Sequence, residues 1–163
     1  MSNLEMQVEA LKRCVDPAQF ARAMQEVSEG PMTEPRKMVQ RSVHDINREC
    51  RKLFTELGMP PHIKGHRCAM VAIRVLVEEP EMLDSITKEL YPAVAEICDT
   101  TASRVERAIR HGVECVWDRG DLDVLNRYFG NTVSIHKGKP TNSEFLATCA
   151  AAVRERLEEQ NVQ

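Results

Sequence analysis

Apolar side chains recur at every third or fourth position along nearly the whole chain, and this spacing constrains the fold more than any other feature of the sequence. The clearest run has intervals of 4, 3, 4, 3 and 4 residues and consists of Val39, Val43, Ile46, Cys50, Leu53 and Leu57. Such intervals place the side chains on one face of a helix, whereas a half-buried strand requires an alternation that no useful stretch of this sequence has. The sequence therefore predicts an all-α fold.

The same run has the pattern of a coiled-coil seam, but it is shorter than the roughly three to four heptads that make a coiled coil convincing. We therefore expect this face to pack in the core of its own domain. A seam between two chains is the alternative.

Caps and helix breakers indicate where the helices begin and end. Thr33-Glu34-Pro35 is expected to open the helix that carries the first run. Further helices are expected at 68–77, 86–97 (with a kink or restart at Tyr91-Pro92), 101–117 and 121–128. The capping box Thr141-x-x-Glu144 predicts a last helix that ends at about Glu159.

A length of 163 residues fits one domain of ordinary size with a short extension. We assign residues 1–40 to a helical extension that packs on the domain or pairs two chains. Residues 41–159 form a compact domain of about six helices, and residues 160–163 form a tail.

The charge balance excludes one class of nucleic-acid-binding protein. The chain has 22 Lys and Arg residues against 25 Asp and Glu residues, which gives a formal net charge of −3. A protein with that balance does not coat nucleic acid by bulk charge, although one of its faces can still be basic. Aromatic residues make up 4% of the chain, which argues against RNA binding by base stacking.

The cysteine and histidine patterns favour neither disulfides nor a metal site. No two cysteines form a CxxC pair, and the six are widely spaced at Cys14, Cys50, Cys68, Cys98, Cys115 and Cys149. Several occupy apolar helix positions, so buried free thiols in a reducing cytosol are expected. His62, His66 and Cys68 come nearest to a metal-ligand set, but Gly65 and the prolines at 60–61 interrupt the helical spacing, so no metal is expected.

The sequence contains neither an apolar targeting segment nor an enzyme motif. No apolar stretch has the length of a signal peptide or a membrane span, so we expect a cytoplasmic protein that contacts no membrane. There is no glycine-rich phosphate loop, no G-x-S-x-G and no H-E-x-x-H. The sequence predicts a protein that is not an enzyme and needs no cofactor.

The stretch from Leu90 to Trp117 has the pattern of a helix-turn-helix. A short helix that carries Val94 and Ala95 is followed by a tight polar turn at 99–101. The second helix then has core positions at Val105, Ala108, Ile109, Val113 and Val116. A small residue such as Ala95 lets the two helices approach closely, and the second helix of such a unit lies in the major groove of DNA.

The outward face of that second helix is rich in charge. It carries Arg104, Arg107, His111 and Glu114, with Ser103, Glu106 and Arg110 beside them. Two arginines in the first two turns oppose the positive end of the helix dipole, which favours an anion that binds from outside. Arginine can donate two hydrogen bonds to guanine, and glutamate can accept one from cytosine. The alternative is a solvated face with charge pairs within the helix, such as Arg110 with Glu106.

Several strings of the sequence are unusual enough to compare with known families. The most specific runs from Thr100 to His111 and reads TTASRVERAIRH. Others are Ser85-Ile86-Thr87-Lys88, Leu90-Tyr91-Pro92, His62-Ile63-Lys64-Gly65, Trp117-x-Arg119-Gly120, Phe129-Gly130-x-Thr132-Val133-Ser134 and Lys139-Pro140-Thr141-Asn142-Ser143-Glu144-Phe145. From about Val43 to about Leu157 the chain resembles the C-terminal effector domains of the sporulation transcription factor family, stage 0 sporulation protein A.

The resemblance implies a six-helix domain that binds double-stranded DNA at short promoter boxes and regulates entry into sporulation, as an activator of some genes and a repressor of others. It assigns base contacts to Arg104, Glu106 and Arg107. It assigns phosphate contacts to Ser103, Arg110, His111, Lys64, Lys137 and Lys139. The sigma subunit of RNA polymerase and a second copy of the chain on DNA are the further partners that it implies.

The sequence departs from that family at its front. Family members carry a phosphorylatable receiver domain, whereas the roughly 40 residues that precede the matching region are too few for such an α/β domain. Regulation by phosphorylation of this chain is therefore not expected. The alternative function is a protein-interaction module that binds a full-length sporulation regulator or RNA polymerase without reading DNA, but the intact trio Arg104, Glu106 and Arg107 favours DNA binding.

Overall fold

Six α-helices follow one another in residues 42–130 and 138–162, the parts of the chain that the computed structural model describes. They are α1 (Val43–Glu56), α2 (Lys64–Glu78), α3 (Tyr91–Cys98), α4 (Ala102–Arg119), α5 (Leu122–Phe129) and α6 (Asn142–Val162). A 3₁₀ segment, Pro80–Ser85, and a π-helical turn, Ile86–Leu90, connect α2 to α3. The described ranges contain no strand, and the predicted all-α class is confirmed.

Side-chain caps set several of the helix starts. Asp121 Oδ1 accepts hydrogen bonds from the backbone N–H groups of Asp123 and Val124, and the predicted capping box at Thr141 and Glu144 forms in both directions. The predicted start of α1 is wrong, because the helix begins at Val43 behind the cap Ser42 and is not continuous with a helix from 33–35. Thr33-Glu34-Pro35 itself lies outside the described residues. α6 continues through Val162, past its predicted end at about Glu159.

The helix expected at 86–97 divides in two, as the Tyr91-Pro92 pair indicated. Its first part is the π-helical turn, and its second part is α3, which has Pro92 in its first turn. A proline is tolerated there because the N–H groups of the first turn have no partner within the helix. α3 ends at Cys98, and the left-handed backbone of its C-cap Asp99 (φ 52°, ψ 57°) turns the chain toward α4. Aspartate tolerates that conformation better than most residues do.

The apolar face of α1 packs in the core, as predicted, and it is not a free seam. Ile46, Cys50, Leu53 and Leu57 are fully buried, whereas Val43 at the start of the helix is 48% exposed. α2 is the central helix and packs against α1, α3, α4 and α6. Burial of these faces supplies most of the stability that the isolated helices lack.

Gly65 and Gly112 mark the closest approach of α2 and α4. A methyl group on Gly65 would collide with the carbonyl oxygen of Ala108, and one on Gly112 would lie 3.6 Å from the Gly65 Cα. The expectation that Gly65 interrupts helical spacing is therefore wrong. Gly65 lies in the first turn of α2, because only a residue without a side chain lets the two backbones meet.

Polar groups connect α1 to the last two helices. Glu49 is 2% exposed, and its Oε1 accepts hydrogen bonds from Lys52, Arg48 and Gln160 at 2.9–3.2 Å. Glu56 accepts hydrogen bonds from Tyr128 on α5 and Arg156 on α6. These contacts hold the C-terminal half of α6 against α1.

Five cysteines lie in the described residues, and all are free thiols. Cys50, Cys68 and Cys149 are buried, as expected, and Cys98 and Cys115 are half-buried. Cys14, the predicted extension at 1–40 and the basic residues His136 and Lys137 lie outside the described residues. No helix within the described ranges is both long and apolar enough to cross a membrane.

Candidate DNA-binding surface

α3 and α4 form the two-helix unit that the sequence predicts. A turn of three residues, 99–101, joins them, and the Thr100 N–H donates to the Ala95 carbonyl at 2.9 Å. The Thr101 hydroxyl caps α4 by accepting from the Arg104 N–H at 3.4 Å. Val94 and Ala95 are buried beside Val105 and Ile109 in the same core cluster. The short turn and the small residue bring the helices together, as a helix-turn-helix requires.

One side of α4 is buried and the other is open to solvent. Val105, Ile109, Val113 and Val116 are at most 2% exposed. The opposite side, called the α4 face below, consists of Ser103, Arg104, Glu106, Arg107, Arg110, His111 and Glu114. Glu106 and Glu114 are half-buried, and the other five residues are exposed.

The arginines of the α4 face fall into two groups. Arg110 forms an ion pair with Glu106, one turn earlier, as the solvated-face alternative expects. Arg104 and Arg107, by contrast, have no carboxylate partner among the described residues. They therefore present uncompensated positive charge at the N-terminal end of α4, where the helix dipole is also positive.

Lys139 reaches the α4 face from the segment before α6. Its Nζ lies 2.9 Å from Glu114 Oε1, and both side chains are partly exposed. The hydrogen bond and the positive charge of Lys139 lower the pKa of Glu114. The predicted phosphate contact Lys139 thus lies beside α4, but it is paired within the molecule.

Lys64 lies on the other side of the α4 face. It starts α2 and lines a groove together with Arg104, Arg107 and His111, with Asp99 and Thr100 from the turn. The structure thereby brings Lys64 to the residues of α4 with which the resemblance groups it. His111 also contacts Cys115, with 3.6 Å between Nε2 and Sγ.

Two residues of this surface were missed by reasoning from the sequence. Arg67 is exposed and lines the same groove as Lys64, three residues along α2. A correct start for α2 at residue 64 would have placed both side chains on one face. Asn142 at the start of α6 donates to the Glu106 carbonyl at 3.0 Å and to the Tyr91 hydroxyl at 3.1 Å. No local signal predicts a contact across so many residues.

The two histidines considered as metal ligands have different environments. His62 is exposed, whereas His66 is half-buried and forms an edge-to-face contact with Phe54, at 5.0 Å between ring centres. Burial, and then the positive charge of Arg51, lower the pKa of His66. Across the described residues, His, Cys, Asp and Glu side chains form no group of three that could hold a metal.

An all-α domain with a close two-helix unit and an exposed, arginine-bearing second helix defines the class of helix-turn-helix DNA-binding domains. Residues 50–153 match the family model described as the sporulation initiation factor Spo0A C terminal. The match covers well over half of the chain, and the chain belongs to that family. Its members are DNA-binding effector domains of transcription factors, so the predicted resemblance is confirmed.

Proposed function

We propose that the chain is a sequence-specific transcription regulator that inserts α4 into the major groove of promoter DNA. The observation that carries this proposal is the state of Arg104 and Arg107. Both are exposed in the first two turns of α4, and neither has a carboxylate partner within the described residues. Two uncompensated arginines at a helix N-terminus interact unfavourably with the helix dipole. A bound external anion, here DNA, offsets that interaction.

Base contacts in this proposal come from Arg104, Arg107 and Glu106. Each guanidinium can donate two hydrogen bonds to guanine O6 and N7, and the Glu106 carboxylate can accept one from the cytosine amino group. The pair with Arg110 involves Glu106 Oε1 and leaves Oε2 for the cytosine amino group. Arg110 keeps further N–H donors and can bind a backbone phosphate from the same position.

Phosphate contacts in this proposal come from both sides of the α4 face and set its register on the duplex. They are assigned to Ser103, Arg110, His111, Lys64 and Lys139. Lys139 Nζ is paired with Glu114 and keeps two further N–H donors for a phosphate. Lys137 lies outside the described residues and stays a prediction.

A titration with selected DNA tests the proposal. Duplexes enriched from a random library by the full chain are labelled and titrated by fluorescence anisotropy, beside a scrambled duplex of equal composition, at several salt concentrations. We expect the selected box to bind on the order of a thousand times more tightly at physiological salt. Equal affinity for both duplexes at every salt concentration would contradict sequence reading and favour the protein-interaction module.

Two further partners follow from the family resemblance and are proposed with it. Two chains on adjacent or inverted half-sites would place two α4 helices about one helical turn apart. The stoichiometry of a titration at DNA concentrations well above Kd measures this. Addition of the RNA polymerase sigma subunit to the DNA complex, with a further rise in anisotropy, tests the other partner.

A further inference from the structure

Arg67 has no role among the contacts assigned so far. It lies one turn after Lys64 on the exposed side of α2 and lines the groove that Lys64 shares with Arg104, Arg107 and His111. Residues three apart on a helix have Cβ atoms about 5–6 Å apart, so Lys64 and Arg67 can reach neighbouring points on one ligand.

The charge in this groove is strongly one-sided. Four cationic side chains line it, namely Lys64, Arg67, Arg104 and Arg107. Asp99 is the one carboxylate among the described residues of the lining. The first turn of α2 contains no acidic residue, and neither Lys64 nor Arg67 has an ion-pair partner within the described ranges. Like charges in such a cluster repel one another, and a bound polyanion would offset that repulsion.

The backbones of α2 and α4 are in direct contact at this point. Gly65 lies between Lys64 and Arg67 in the chain, and its backbone meets that of α4 at Ala108 and Gly112. A side chain there would separate the helices. The two cations therefore keep a fixed offset from the α4 face, which is what a contact to the DNA backbone beside the groove requires.

We propose that Arg67 is a further DNA-contacting residue, which together with Lys64 holds adjacent phosphates of the strand that borders α4. The inference rests on the proposed function, because it is α4 in the major groove that brings this strand to α2. Arg67 contributes affinity and register without reading bases.

Removal of Arg67 tests this inference against a matched loss of charge. Arg67→Ala and Lys64→Ala are compared with Arg127→Ala, an exposed arginine on α5 that lies outside the groove. Circular dichroism verifies that each variant is folded. We expect Arg67→Ala to weaken binding to the selected box and to the scrambled duplex by the same factor, on the order of tenfold at 0.1 M salt. The slope of log K against log salt should fall in magnitude by about 1. Arg127→Ala should change neither.

Neutral methylphosphonate substitutions, introduced one at a time along the box, locate the contact. Neutral substitution at each contacted phosphate should reduce the affinity of wild type. Arg67→Ala should be insensitive to substitution at one of these phosphates, and Lys64→Ala should be insensitive at the neighbouring one. Arg67→Lys should restore part of the affinity, because it keeps the charge but loses the planar fork.

The outcomes separate this inference from the proposed function. If Arg67→Ala behaves like Arg127→Ala in affinity, slope and phosphate pattern, the inference is overturned while sequence reading stands. A loss confined to the selected box would also overturn it, because Arg67 would then contact bases. If wild type fails to discriminate between the duplexes, the proposed function fails, and the inference, which rests on α4 in the major groove, is overturned with it.

Discussion

Arg107 lies in the second turn of α4, exposed and without a carboxylate partner in the described part of the chain. Replacement by alanine should weaken binding to the selected box by about 1–3 kcal/mol, because a bidentate contact to guanine is lost. The lost contact should involve one base pair. Substitution of that base pair should therefore reduce the affinity of wild type but not that of the variant. Anisotropy titrations with single-base-pair variants of the box measure this. A uniform loss on all sequences would make Arg107 a phosphate contact instead.

Glu49 is the buried charged residue of the described core. Burial raises its pKa, but hydrogen bonds from Gln160, Lys52 and Arg48 outweigh burial and lower the pKa to about 2, from an ordinary value of 4.5. A carboxyl with a depressed pKa stabilises the fold above about pH 4.5, and this contribution is lost as the pH falls toward 2. Its full size is about 3 kcal/mol at neutral pH.

Glu49→Gln should therefore lower the free energy of unfolding at pH 7 by about 2–3 kcal/mol, and the difference from wild type should vanish toward pH 2. Urea denaturation followed by Trp117 fluorescence at several pH values measures both. The control is Glu81→Gln, an exposed residue of the 3₁₀ segment. A difference from wild type that stays constant between pH 7 and pH 3 would show that the charge of Glu49 is not responsible.

The contact between α2 and α4 fixes where the basic residues of the two helices lie relative to each other. Gly65→Ala should destabilise the protein by about 1–3 kcal/mol, because its methyl group meets the rigid carbonyl of Ala108. DNA affinity should fall as well, since α2 must move away from the α4 face. Thermal unfolding by circular dichroism and the anisotropy titration measure the two effects.

Gly112→Ala is the matched control for that prediction. Its methyl group would lie 3.3 Å from the end of the flexible Met59 side chain, which can move aside. Alanine is also favoured over glycine in a helix by up to about 1 kcal/mol. We expect little change in stability or affinity, and equal losses in both variants would contradict the collision with Ala108.

Helices were predictable from the sequence wherever their signals are local. The apolar face of α1, the cap Asp121, the capping box at Thr141 and the break before Pro92 all follow from neighbouring residues and are all present. The start of α1 and the place of Gly65 in α2 were predicted wrongly. In the second case a long-range backbone contact overrides the usual aversion of helices to glycine.

Over the whole chain the charge is nearly balanced, which bears on how the protein binds DNA. Residues 60–157 contain 13 Lys and Arg residues against 14 Asp and Glu residues, so the family region itself is not basic. We therefore expect bulk attraction to be weak and affinity to depend on a few placed cations. With Lys64, Arg67, Arg110 and Lys139 on phosphates, the slope of log K against log salt should be about −4.

Anisotropy titrations of the full chain between 50 and 300 mM salt, on the order of a sixfold range, measure that slope. A slope steeper than about −7 would mean that many more cations contact DNA than these four. A slope near zero would mean that phosphate contacts contribute little to affinity.

The candidate surface divides in the same way between sequence and structure. Arg104, Arg107 and Arg110 could be assigned to one exposed face, because helical periodicity alone places them there. The i, i+4 spacing suggested the Arg110–Glu106 pair, but it could not decide between a face of internal pairs and a face that binds an external anion. Glu106 holds Arg110, while Arg104 and Arg107 have no such partner among the described residues.

The sequence by itself determined the helical class, most helix ends and the exposed face of α4, because each depends on residues within a few positions of one another. Tertiary structure alone decided that Arg67 and Lys64 line the same groove as Arg104, that Asn142 binds the Glu106 backbone, and that Glu49 is held by Gln160. These groups are distant in the chain. They meet because α2 packs in the centre of the domain, at a distance from α4 that Gly65 permits.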